Sequence, residues 1–196
     1  MTDTTLNALL TRRSTKLLCA PGPAPHELEQ ILQCAMIAPD HGSLRPWRFA
    51  VIQGEAVGHL ADMALGAVKA SGDKRMSPEK EKSVRAWLAE VPVVIAVAQR
   101  INHDQSKIPE SEQLLAVGAS VMNILNATHM LGYGAFWSTG LGTYVEAVQD
   151  ALGFDALDYK FLGFLAVGSL ATELPPAKRP HFSEFVTHWT GTDTPG

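Results

Sequence analysis

Leu28, Ile31, Leu32 and Ala35 recur at the three- and four-residue spacing of one helical face. Pro25, whose fixed φ and missing N–H suit a first helical turn, opens that segment, and the pattern predicts a helix ending near Pro39. Arg48-Phe49-Ala50-Val51-Ile52-Gln53 reads as a strand, and Glu55 to Ala70, rich in Ala, Leu and Met, as a helix. Ser71 to Glu81 is polar and charged, bracketed by Gly72 and Pro78; it predicts a surface loop, with a lid over a site as the other reading. Pro92 to Gln99 is a continuous run of β-branched and small apolar residues, the pattern of a central strand covered on both faces. The helix expected from Glu110 to Leu131 is apolar nearly all round and carries Gly118, Ala119 and Ser120, small residues that let another backbone approach. Such a helix needs neighbours on every side, which points to a partner subunit. Ala135 to Ser138 and Phe161 to Val167 predict two more strands, separated by a short helix from Tyr144 to Leu152 that Gly153 can terminate.

Helices outnumber strands and the strand spacing is irregular, so the pattern describes an α+β domain with a sheet covered by helices. A chain of 196 residues with 46% hydrophobic content can bury one ordinary core, and residues 1–196 read as a single domain. Its tail, from about 171 to 196, ends on Phe182, Phe185, Val186 and Trp189. That is too aromatic for a disordered terminus, and predicts packing on the same chain or on a partner.

A net charge of −4 creates no general field for nucleic acid or acidic lipid, so any anion site must be local, which favours a small ligand. Cys19 and Cys34 are the only cysteines and form neither a metal motif nor a disulfide framework. Seven histidines show no HExxH, HxH or HxxxH spacing, so no metal is expected. Met1 to Thr5 lacks the basic start and apolar run of a signal peptide, which makes a cytoplasmic protein the expectation. The longest apolar stretch, Leu114 to Leu131, is interrupted by Asn123, Asn126 and His129, and falls short of the roughly 20 apolar residues that cross a bilayer.

Thr11-Arg12-Arg13-Ser14-Thr15-Lys16 ends the apolar-periodic stretch of Leu6, Leu9 and Leu10 with a density of donors suited to phosphate oxygens. Cations also favour helix C-termini, so a solvated helix end is the other reading. Trp47, between Pro46 and a strand, reads as core. No Gly-rich dinucleotide fingerprint is present.

Together with Pro39-Asp40-His41-Gly42-Ser43-Leu44-Arg45-Pro46-Trp47-Arg48-Phe49, Gly132 to Gly140, and Phe161 to Gly168 followed by Lys178-Arg179-Pro180, the basic segment resembles the FMN-dependent nitroreductase family, in particular its short bacterial NAD(P)H subgroup. The resemblance implies a nitroreductase-like fold, a mixed sheet covered by helices in a homodimer, and FMN as cofactor. It implies transient reduction by NAD(P)H and transfer to a nitroaromatic, quinone or related small acceptor in a ping-pong cycle. A reductase specialised for one metabolite and a flavin-binding protein without turnover remain alternatives. By the same resemblance Arg12, Ser14 and Arg179 match the ligands of the FMN phosphate, with Arg13 beside them among the cofactor-binding residues, and Lys16 faces the ring's N1–O2 edge. His41 and Ser43 reach the cofactor from the opposite subunit, while Trp137, Ser138 and Thr139 run along one ring face with backbone N–H groups towards N5. Ser43 stands where many members have Asn, Arg45 where they have Gln, and Ser138 where close relatives have Arg. No catalytic side chain is expected, because the flavin itself carries the chemistry.

Overall fold

In the computed structural model, which describes residues 4–73, 76–104 and 107–191, helix α1 (Thr4–Thr11) leads through the short strand β1 (Leu18–Cys19) to α2 (Pro25–Ala35). Strand β2 (Trp47–Gln53), helices α3 (Glu55–Ala70) and α4 (Pro78–Glu90), and strand β3 (Val93–Arg100) follow. Then come α5 (Glu110–Met130), β4 (Gly134–Ser138), α6 (Glu146–Ala151) and β5 (Tyr159–Leu170). The expected elements are present, most within a residue or two of their predicted bounds. Helix α4 was not anticipated: the expected 71–81 loop stops short, because Ser77 caps a helix that starts at Pro78, its hydroxyl accepting the Lys80 N–H at 3.2 Å. Lys74 and Arg75 of that loop, residues 192–196 of the tail, and Met1 to Asp3 lie outside the described residues.

Strand β3 pairs antiparallel with β2 on one side and β5 on the other. The far edge of β5 pairs antiparallel with β4 along Phe164–Gly168 and with β1 at Ser169–Leu170. Parallel pairing among the described residues is confined to one bridge, Ser14 beside Ala135, where the Thr15 N–H donates to the Ala135 carbonyl at 3.1 Å. That bridge lays the basic segment along the outer edge of β4.

Alternate residues of the central strands enter two cores, as a period of two demands. Val94, Ala96 and Ala98 of β3 with Phe164 and Ala166 of β5 pack under α3, α4 and α6. Val93, Ile95 and Val97 with Leu165 and Val167 pack under α2 and α5, and Trp47 joins them as core. Val93 to Gln99 are all buried, which is why that run carries no polar alternation. The all-round apolar helix α5 buries Ala116, Val117, Ser120, Val121, Ile124 and Leu125 yet leaves Leu115 72% and Met122 46% exposed in the single chain. The aromatic tail behaves similarly: Phe182, Phe185 and Trp189 stay largely exposed in the single chain.

Candidate functional site

The turn that ends α1 sends Arg12 to Lys16 along β4, and the tail returns over it. Arg179 donates from Nη2 to the Arg12 carbonyl at 2.6 Å, while Arg13 donates to the Pro175 carbonyl. These two bonds gather three guanidinium groups at one corner of the sheet. At the same corner, His129 near the end of α5 lies 3.3 Å from the Thr11 hydroxyl. Burial and then the Arg179 charge lower the pKa of Arg12; burial and then the Arg12 charge lower that of His129. Among the described residues, no carboxylate pairs with Arg12, Arg13 or Arg179. A cluster of like charges without its own counter-ion is suited to receive an anion.

One step along the edge, the Lys16 ammonium lies 4.8 Å from the ring centroid of Phe136 and 5.5 Å from that of Trp87. The two rings meet edge to face at 6.1 Å, and the Trp87 indole N–H donates to the Lys16 carbonyl at 3.0 Å. Lys16 has no carboxylate partner among the described residues. Strand β4 then ends at Ser138, whose hydroxyl accepts the Gly140 N–H at 3.3 Å. Alternation along β4 separates the side chains. Phe136 faces Lys16, whereas Trp137 packs towards α2 and α5, with its indole N–H on the Leu162 carbonyl at 2.9 Å. The Trp137 side chain is therefore committed to the core side, and only its backbone and the exposed Thr139 remain for a ligand.

Beyond Thr139 opens a cavity of about 670 Å³. Val68, Ser71, Asp73, Met76 and Lys80 form one wall; Thr139, Gly140 and the exposed Tyr144 line the other. The segment read as loop or lid thus borders the same space as the end of β4.

His41 and Ser43 are not part of this grouping within one chain. His41 Nδ1 lies 2.7 Å from Glu112 in the first turn of α5, whereas Arg12 neighbours His129 at the other end. At 1.5 Å per residue, seventeen residues of helix separate them by about 25 Å. The backbone around His41 is itself unusual: Gly42, Ser43 and Arg45 adopt φ of 72°, 54° and 49°, a left-handed conformation that non-glycine residues rarely hold. The Asp40 carboxylate supports it by accepting the Arg45 N–H at 2.6 Å.

The sequence reading missed Trp87 and Phe136 as partners of Lys16, and His129 as a neighbour of Arg12. His129 left a trace, as a polar break in an otherwise apolar run; Trp87 left none, since its helix was not anticipated.

Residues 9–169 match the model of the Nitroreductase family. The chain is 35% identical over 166 residues to YdjA of Escherichia coli K12, a protein assigned as an NAD(P)H nitroreductase, covering 84% of this chain and 87% of YdjA. Its fold is similar to that of a nitroreductase-like family protein from Bacillus cereus, with TM-score 0.81 at 21% identity over 97% of this chain and 98% of that one. It is similar too to a Desulfovibrio desulfuricans nitroreductase homologue solved in complex with FMN, with TM-score 0.73 at 22% identity over 96% and 98% of the two chains. With a match across most of its length and a relative above 30% identity, this chain belongs to the Nitroreductase family.

Proposed function

We propose that this protein is an FMN-dependent oxidoreductase that uses NAD(P)H to reduce nitroaromatic, quinone or related small acceptors, reductant and acceptor alternating in one site. The observation that carries this reading is the cluster of Arg12, Arg179 and His129, which pairs with no carboxylate among the described residues, continued along β4 by the Lys16 ammonium and the exposed turn at Thr139. Its donors suit FMN: Arg12, Ser14 and Arg179 would hold the phosphate by charge-assisted bonds. Arg13, already bonded to the tail, would add charge from behind. Lys16 would stand by the ring edge where negative charge accumulates, and the backbone N–H groups of Ser138 to Gly140 would face the ring. When bound, FMN would supply the chemistry, accepting a hydride from NAD(P)H and passing reducing equivalents to the acceptor. The protein's part is binding, orientation and electrostatics, and the cavity beyond Thr139 offers the acceptor its space.

The site is completed by a second copy of the chain. Two observations support a homodimer: the apolar face of α5 at Leu115 and Met122 is open, and His41 stands by the first turn of α5 while Arg12 stands by its last, ends about 25 Å apart. The exposed rings of Phe182, Phe185 and Trp189 would then pack on the partner, making the domain of residues 1–196 a unit that is finished by dimerisation. Nothing in this arrangement calls for nucleic acid, and no helix among the described residues is long and apolar enough to cross a membrane.

Purification under gentle conditions tests the assignment. The protein is expected to be yellow, with heat-released flavin that comigrates with FMN; recovery of FAD, or of no flavin after reconstitution with excess FMN, would falsify it. Steady-state NAD(P)H oxidation with an added acceptor separates an enzyme from a flavin store. The cavity wall formed by Ser71, Asp73, Met76 and Lys80 favours a narrower second reading, a reductase fitted to one metabolite. In that case a panel of acceptors would give one kcat/KM far above the rest.

A further inference from the structure

Lys16 is held at both ends by one residue. The Trp87 indole N–H fixes the Lys16 main chain through its carbonyl at 3.0 Å, and the Trp87 ring lies under the ammonium at 5.5 Å, at right angles to Phe136. A lysine stem has four rotatable bonds and an exposed ammonium samples many positions. Here the side chain is drawn against two ring faces, whose negative quadrupoles attract a cation without neutralising it. A carboxylate would also have fixed the ammonium, but at the expense of its net charge. Trp87 comes from α4 and faces across to β4, so its position depends on the packing of two elements distant in sequence.

We propose that Trp87 is a positioning residue, which presents the Lys16 ammonium as an uncompensated counter-charge and so tunes how strongly the protein prefers reduced over oxidised flavin. The inference rests on the placing of flavin beside Lys16 proposed above. Trp87 does not touch the reacting atoms in this scheme. Its effect passes entirely through Lys16, which distinguishes it from a residue that merely fills space beneath the site.

The quantity to measure is the ratio of affinities for reduced and oxidised FMN, obtained from the bound flavin's reduction potential, in full-length wild type, Trp87→Leu, Trp87→Phe, Lys16→Ala and the double variant Lys16→Ala/Trp87→Leu. Loss of a cation–π contact at an exposed site corresponds to about a two- to fivefold fall in that ratio for Trp87→Leu. Trp87→Phe, which keeps a ring and loses the N–H, should lie between Trp87→Leu and wild type. In the Lys16→Ala background the Trp87 substitution should add nothing. NMR of the flavin-stripped protein supplies an independent reading: the upfield ring-current shift of the Lys16 ε-methylene should shrink in Trp87→Leu to the part that Phe136 supplies. An equal fall caused by Trp87→Leu with and without Lys16 would overturn the proposal, as would an unchanged ratio in Trp87→Leu where Lys16→Ala lowers it. Both outcomes leave the flavin assignment standing. If Lys16→Ala itself leaves the ratio untouched, the placing of the flavin falls, and the role of Trp87 with it.

Discussion

The Arg179 guanidinium donates to the main-chain carbonyl of Arg12 at 2.6 Å, so the C-terminal tail carries a second cation to the place where the first helix ends. The two charges repel, and together with burial this lowers the pKa of Arg12. An anion bound there would relieve that repulsion, and the proposed phosphate seat has its first test in this corner.

Arg12→Ala or Arg179→Ala is expected to weaken FMN binding by about ten- to a hundredfold, since hydrogen bonds to charged groups are worth about 1.5–3 kcal/mol. Turnover at saturating FMN should change little, because the proposed placing puts these residues at the phosphate and not at the reacting ring. Fluorescence titration of the flavin-stripped protein measures the first effect and steady-state kinetics the second. A variant that binds FMN normally and turns over slowly would reverse this division.

His129 offers a pH test. Its pKa is lowered from 6.5 by burial and by Arg12, so the neutral imidazole is favoured in the folded state. The sign follows from linkage: this contribution to stability is present above about pH 6.5 and is lost as pH falls through the lower folded value. FMN or inorganic phosphate at Arg12 should cancel the repulsion and raise the His129 pKa. Histidine NMR titration with and without FMN reads this directly, whereas affinity against pH would mix it with the phosphate's own second ionisation near pH 6. An unchanged His129 titration would place the anion elsewhere.

Mixed dimers test the sharing of sites. If His41 and Ser43 act across the interface, an Arg12→Ala chain paired with a His41→Ala/Ser43→Ala chain has one intact and one doubly damaged site. Such a heterodimer should bind one FMN with wild-type affinity. Two equally weakened sites would mean that each chain completes its own, and a monomer in sedimentation at micromolar concentration would remove the interface altogether.

Gly163 is a test of the frame behind β4. Its φ of +103° is strained for any side chain, and a Cβ there would collide with the Ser138 carbonyl oxygen. Gly163→Ala should destabilise the protein by about 1–3 kcal/mol in chemical denaturation and displace the Ser138–Thr139 backbone. Weakened FMN binding in a still-folded variant would accompany that displacement. Full stability would show that the strand can shift without cost.

How much of this was legible in the sequence follows from the range of the forces involved. Helix α3 emerged with its predicted ends, Glu55 and Ala70, and Val93 to Gln99 proved central, because period and burial are written residue by residue. The basic segment at Arg12 to Lys16 was visible as a local density of charge. Its use was not, since a helix end in water and an anion seat share one composition; the meeting of Arg12 with Arg179 and His129 required the Ser14–Ala135 bridge and the returning tail. Trp87 became a partner of Lys16 only when α4 packed against β4, and Trp137 turned away because alternation along β4 sends neighbours to opposite faces. Sequence by itself determined the elements, the central strand and the residue types able to hold a phosphate. Tertiary structure decided which cations share a corner, which aromatic ring holds the lysine, and that His41 stands at the far end of α5, because those are distances between segments that no local pattern encodes.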